Sequence, residues 1–196
     1  NPHDRRQPRR RVIVRRLGRR RPHPPLQGIA PGRPAHHRGR SERVIGRILA
    51  DMETDAFVAT KFAPLPHRLT SRSLRKALDA SLERLEVETV DLYQIHFPIS
   101  FLSISSLMNR LADAVEVGKV RYVGVSNYSA AQLRTAHTAL AERRIPLVSN
   151  QVNYSLLHRQ PEQNGVLEVC RELNVTLIAY TPLASGVLAG KYRRGA

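Results

Sequence analysis

Five short apolar runs in this chain each end in polar side chains able to do chemistry. "AFVATKF" carries Lys61, "TVDLYQIHF" ends on His96, and "VRYVGVSN" ends on Ser126 and Asn127. "PLVSNQVNY" brings Gln151 and Asn153, and "VTLIAYTPL" brings Tyr180 and Thr181. A strand-end lysine either snorkels into water or carries a lowered pKa and biases a neighbouring acid. A histidine closing a nearly apolar strand is either a core residue held by one hydrogen bond or a donor that polarises a carbonyl oxygen. Ser126 and Asn127 can cap and bridge a turn. Together with Gln151 they can equally grip an amide-bearing ring. Tyr180 is core filler or a stacking platform. No HExxH and no Cys/His cluster accompanies these groups, so the set does not read as a metal site.

The elements that must position these groups are regular. The apolar cores of the runs begin near residues 57, 90, 120, 147 and 175, at intervals of 33, 30, 27 and 28. Between them lie helical stripes. Val44, Ile45, Ile48 and Leu49 share one face after Ser41, a candidate cap, with Glu42 in the first turn. Leu74, Leu78, Leu82 and Leu85 share the next, and Ile104, Leu107, Leu111 and Val115 a third that stops near Gly118. Ser129 and Gln132 have capping-box spacing before Leu133, Ala136 and Leu140. Val166, Val169, Cys170 and Leu173 mark the last stripe.

Five successive strand–helix units imply parallel strands, in either an open doubly-wound sheet or a closed barrel. The open sheet expects a glycine-rich phosphate loop, and neither GxGxxG nor a Walker sequence is present. Polar groups at the C-terminal end of every strand are barrel logic. A complete barrel needs about 250 residues. The expected fold class is therefore α/β, a partial (β/α)8 TIM barrel of five central units, with its first two strands and last strand missing or unrecognisable.

Composition divides the 196 residues in two. Residues 1–40 hold thirteen arginines, seven prolines and one acid, Asp4. Residues 41–196 hold nineteen basic and fifteen acidic side chains, an ordinary balance. The first segment has too little to bury to offset its ordering entropy and is expected to be disordered. The barrel unit is expected over 41–196. Thirteen arginines would bind any polyanion in a salt-dependent way, but no aromatics are interleaved to stack bases, so no specific nucleic acid is expected. One cysteine, Cys170, excludes an internal disulfide and suits a reducing, cytoplasmic setting as a buried thiol. No apolar run is long enough for a transmembrane helix, so no membrane insertion is expected.

The segments "GRSERVIGRIL", "VATK", "SLRKALDASLERLEVETVDLYQIH", "LADAVEVGKVRYVGVSNYS", "NQVNYSLLHR" and "LIAYTPLASGVLAGKY" resemble the aldo-keto reductase superfamily over 39–196. The resemblance is particularly to the branch that resembles potassium-channel beta subunits and bacterial or plant broad-specificity reductases. The resemblance implies a (β/α)8 barrel that binds NADP(H) across its C-terminal rim and reduces a small-molecule aldehyde or ketone by hydride transfer. It implies that Lys61 and His96 are two members of a catalytic tetrad. Ser126, Asn127 and Gln151 would hold the nicotinamide carboxamide, and Tyr180 would stack on the ring. Thr181, Leu183, Gly186 and Lys191 would meet the pyrophosphate. The other two tetrad members belong in a segment resembling "DTAxxYG" just before "GRSER". Here that place reads "PGRPAHH", with Pro31 at the aspartate position and His36 at the tyrosine position.

Impaired turnover is the expectation that follows. A further expectation is that residues 1–40 are an out-of-frame reading of a GC-rich gene, and that the last strand lies beyond Ala196. An upstream alternative frame lacking a "DTAxxYG"-like segment would sink the first part. Two other readings stand beside reductase function: a non-catalytic nicotinamide-binding protein like a channel beta subunit, and non-specific polyanion binding through the basic arm.

Overall fold

A computed structural model describes residues 39–52, 56–64, 71–98 and 102–190. All of them belong to one compact unit, His37–Ala196. The expectations placed on residues 1–38, including Pro31 and His36, and on Lys191 lie outside the described residues.

Five strands alternate with helices: α1 (Arg40–Met52), β1 (Ala59–Phe62), α2 (Ser71–Leu85), β2 (Val90–Ile95), α3 (Ile104–Glu116) and β3 (Val120–Ser126). Then come α4 (Ala130–Ala141), β4 (Leu147–Asn153), the short α5 (Gln160–Gln163), α6 (Val166–Glu172) and β5 (Thr176–Tyr180). A 3-10 segment, Ala184–Ala189, follows. The five strands form one parallel sheet in the order β1-β2-β3-β4-β5. A doubly-wound sheet reverses its strand order at a switch point; strictly sequential neighbours are an arc of a barrel. The sheet is thus five strands of a (β/α)8 arrangement, as the sequence predicts.

The core lies between sheet and helices. Tyr93, Ile95, Val123 and Val125 from the strands meet Leu74, Leu78, Leu107, Leu111, Leu133 and Leu140 from the helices, all buried. Cys170 is buried there too, and burial pushes its thiol pKa up, as befits a structural cysteine. The stops match their residues. Gly118 ends α3 in a left-handed conformation, φ 76°, with its N–H on Val115 and that of Lys119 on the Ala114 carbonyl, a Schellman motif. Ser129 and Gln132 form the reciprocal capping box before α4.

Two details differ from the sequence reading. Helix α1 begins at Arg40, so Ser41 is inside the helix rather than capping it. Its apolar stripe is largely exposed, with Val44 and Ile48 each at 48%. What seats α1 is Gly46, because a Cβ there would come within 2.7–2.9 Å of Arg84 and Leu85 backbone atoms at the end of α2. Among the described residues, no helix is long and apolar enough to cross a membrane.

Candidate active site

The register decides which strand residues face the same way. Lys61 pairs with Gln94, and His96 stands two residues beyond Gln94. Gln94 pairs with Gly124, and Ser126 stands two beyond it. Ser126 pairs with Gln151, Gln151 with Ile178, and Tyr180 stands two beyond that. Successive strand side chains alternate between faces. Lys61, His96, Ser126, Gln151 and Tyr180 therefore share the face turned away from the core helices, all at the C-terminal ends of five adjacent strands.

Hydrogen bonds tie this rim together. Asn127 is in the left-handed region, φ 61°, where asparagine is tolerated, and its amide folds back over the strand ends. Its Nδ2 donates to the His96 carbonyl and to Ser126 Oγ, each at 3.2 Å. Its Oδ1 accepts from the Tyr180 hydroxyl at 3.0 Å. Ser126 Oγ donates to the Gln151 carbonyl at 2.8 Å, and the Asn127 N–H donates to the same carbonyl at 2.9 Å. Four strands thus meet at one asparagine.

Lys61 and His96 are both half-buried and line one cleft of about 410 Å³ beside β1. Burial lowers the Lys61 pKa because it penalises the ammonium. His96 is lowered first by burial and second by the Lys61 charge, which keeps its imidazole neutral at neutral pH. Neither His96 ring nitrogen nor Lys61 Nζ has a hydrogen-bond partner among the described residues, and the imidazole stacks on Phe97 at 4.1 Å.

Glu42 lines the same cleft but is already engaged. It accepts from Thr60 Oγ1 at 2.6 Å and from Arg84 Nε at 2.7 Å. Burial alone would raise its pKa, yet the hydrogen bonds from Thr60, Arg84 and Ser81 together with the Arg84 charge hold it low. Glu42 therefore stays a carboxylate that clamps α1 to β1 and α2, a role the sequence reading reduced to a first-turn charge.

Past β5 the backbone is unusual. Thr181, Ala184, Ser185 and Gly186 all have positive φ, and Leu183 is exposed. A β-branched residue in that region is a genuine outlier. Within this turn the Ala184 and Gly186 N–H groups donate to the Thr181 and Leu183 carbonyls, at 2.8 and 3.0 Å.

Two buried polar groups escaped the sequence reading. Gln94, on the inner face, reaches the Val125 carbonyl and Ser149 Oγ, each at 3.3 Å, through space kept by Gly124, where a Cβ would overlap Ser149. Asn150, on the helix-facing side of β4, brackets Tyr128 by donating to its carbonyl at 3.1 Å and accepting from its N–H at 3.4 Å. Strand alternation carries the signal for both: each is an amide in an otherwise apolar position.

The aldo/keto reductase family model matches residues 34–196. The chain is 40% identical over 163 residues to the chloroplastic pyridoxal reductase of Arabidopsis thaliana, covering 79% of this chain and 45% of that protein. It is 35% identical over 167 residues to the L-glyceraldehyde 3-phosphate reductase of Escherichia coli K12, covering 80% and 48%. A crystal structure of the thermostable aldo-keto reductase Tm1743 matches with a TM-score of 0.70 at 35% identity, over 76% of this chain and 53% of that one. The chain spans about half the length of the curated relatives it matches. Sequence, sheet order and rim agree: the chain belongs to the aldo/keto reductase family.

Proposed function

We propose that this chain is the nicotinamide-holding part of an NADP(H)-dependent reductase of aldehyde or ketone carbonyls, and that its own turnover is impaired. One observation carries the reading: Lys61, His96, Ser126, Gln151 and Tyr180 share a face at the ends of five adjacent parallel strands.

The residues fit the cofactor. Ser126, Asn127 and Gln151 supply a hydroxyl and two amides, the complement of a carboxamide. Tyr180 stands beside Asn127 with a flat ring available for stacking. By the family resemblance, Thr181, Leu183, Gly186 and Lys191 would meet the cofactor's pyrophosphate. When bound, the nicotinamide supplies a hydride to the carbonyl carbon. The neutral His96 donates an N–H to the carbonyl oxygen and orients it. Two relatives, a pyridoxal reductase and an L-glyceraldehyde 3-phosphate reductase, favour an aldehyde.

Impairment rests on the acid. The family's tyrosine position holds His36 and its aspartate position Pro31. Proline has no charge to pair with Lys61, and the one carboxylate lining the cleft among the described residues, Glu42, is committed to Thr60 and Arg84.

NADPH fluorescence titration of the 196-residue chain tests binding. Saturable binding is expected, with Asn127→Ala weakening it about tenfold through loss of the bridge that holds Ser126, Tyr180 and the His96 carbonyl together. Absence of saturable binding refutes the reading. Carbonyl-dependent NADPH oxidation at a rate typical of enzymes, about 1 per second or faster, refutes the impairment. Binding without turnover, together with one defined protein partner, would favour the non-catalytic alternative.

A further inference from the structure

A second cleft, of about 350 Å³, lies along the outer groove between α2 and α3, and none of its lining residues lines the Lys61–His96 cleft. Its walls carry four cations: Arg72 and Arg75 from the start of α2, Arg110 from the middle of α3, and Lys119 from the turn before β3. Lys119 is neutralised by Asp79 at 2.6 Å. The only acid lining the cleft, Asp113, is engaged by Arg143 at 2.6 Å. Three guanidiniums remain with no ion-pair partner among the described residues.

Two features mark the excess as more than a solvated face. The first turn of α2 contains no acid, and Arg72 stands there against the positive end of the helix dipole, an unfavourable placement that a bound anion would reverse. Arg110 Nε is shut off from solvent with no acceptor among the described residues, so one donor of a charged group is held dry and unused. Guanidiniums are the side chains best matched to phosphate, through paired N–H groups. The floor is apolar, built from Leu74 and Leu78 of α2 and Ala114 of α3, with Val117 at the side. The volume is at the small end of the range for small-molecule sites.

We propose that this groove is a binding site for a small organic phosphate, whose dianionic head sits among Arg72, Arg75 and Arg110 and whose flat apolar body lies on Leu78 and Val117. The site is separate from the rim and does not depend on the nicotinamide reading.

Phenyl phosphate is the probe, with inorganic phosphate and phenol as the two half-ligands. Methyl NMR of the full chain locates the binding, since Leu78 and Val117 report on the groove and are blind to phosphate attracted by the arginines of residues 1–40. Saturable shifts of both methyls with phenyl phosphate are expected, with the Tyr180 signals unmoved. Arg75→Gln and Arg110→Gln should each weaken binding at least tenfold, and binding should weaken steeply with added salt. Because Arg75 is an exposed helix-surface residue, its variant reads the site even where Arg110→Gln fails to fold. No saturable shift, unchanged affinity in Arg75→Gln, or shifts confined to the Tyr180 region would overturn the site. Phenol as effective as phenyl phosphate would overturn the role of charge. Inorganic phosphate as tight as phenyl phosphate would overturn the apolar half.

Discussion

Replacing Asn150 by alanine isolates the support beneath the rim. Asn150 is wholly buried, and both its amide groups are spent on the backbone of Tyr128. Tyr128 immediately follows Asn127 and precedes the cap of α4, so these two bonds hold the turn that carries Asn127. Asn150→Ala leaves a buried carbonyl and a buried N–H without partners. Stranding each costs about 1–3 kcal/mol. The N–H bond is long at 3.4 Å, so its share belongs at the low end. The sum is about 2–4 kcal/mol, a large part of a typical domain's 5–15 kcal/mol or so.

Equilibrium urea unfolding followed by far-UV circular dichroism reads this loss as a lower midpoint at unchanged slope. Asn150→Asp should recover none of it, since a carboxylate at this wholly buried position is stripped of water without a cation and sets an acceptor oxygen against the Tyr128 carbonyl. A loss below about 1 kcal/mol for Asn150→Ala would refute the assignment of both bonds to Asn150. An aspartate variant more stable than the alanine one would refute the claim that the side chain donates to the Tyr128 carbonyl.

Three more perturbations have signs fixed by the structure. Gly46→Ala gains about 1 kcal/mol of helix propensity but forces a Cβ against unyielding backbone at Arg84 and Leu85. Overpacking of about 1–3 kcal/mol outweighs that gain, so the urea midpoint should fall; a rise refutes the close approach of α1 to α2. Ser129→Ala removes one half of a capping box and should cost about 1 kcal/mol by the same measurement, with no effect at all contradicting the cap. Lys61→Met removes a charge that depresses the His96 pKa but leaves the larger effect of burial in place. The His96 ring signals should therefore titrate at higher pH than in the parent chain while remaining below the ordinary 6.5 or so, and an unmoved titration refutes the coupling. Linkage gives the sign in the parent: the unfolded chain takes up a proton near its ordinary pKa that folded His96 resists. This contribution to stability is complete above about pH 6.5 and is lost as pH falls through the lowered folded value.

Strand ends were legible because each coincides with a change from apolar to polar residues, and in a parallel barrel those ends converge by construction. The caps were legible for a similar reason, since Ser129, Gln132 and Gly118 act through local geometry alone. Helix α1 was not. Its stripe of Val44, Ile45 and Ile48 predicts a buried face, yet its seating comes from Gly46, the one residue there with no side chain to count. The Glu42–Thr60–Arg84 clamp joins residues 18 and 42 positions apart, and no local pattern announces it. The Asn127 bridge was half-visible: its chemistry could be read, but its attachments to His96 and Tyr180 depend on the stagger between strands.

The rim divides its labour by strand, and that division separates binding from turnover. The groups suited to a carboxamide and an aromatic stack, Ser126, Asn127, Gln151 and Tyr180, all belong to β3, β4, β5 and the turn after β3. They are tied to one another by four hydrogen bonds that involve no side chain from β1 or α1. The groups suited to the carbonyl, Lys61 and His96, stand on β1 and just past β2, and among the described residues the side-chain hydrogen bond between the two sets is the one from Asn127 to the His96 backbone carbonyl. Loss of a partner for Lys61 therefore has no direct path to the carboxamide cradle. On the reading proposed above, a chain with Pro31 and His36 at the family's aspartate and tyrosine positions would keep the cradle while losing proton delivery. Lys61→Met should then leave NADPH affinity within about twofold of the parent, whereas Asn127→Ala should not. Equal losses in both would mean that the rim is one coupled unit, and the case for cofactor binding without turnover would fall with the division of labour that supports it.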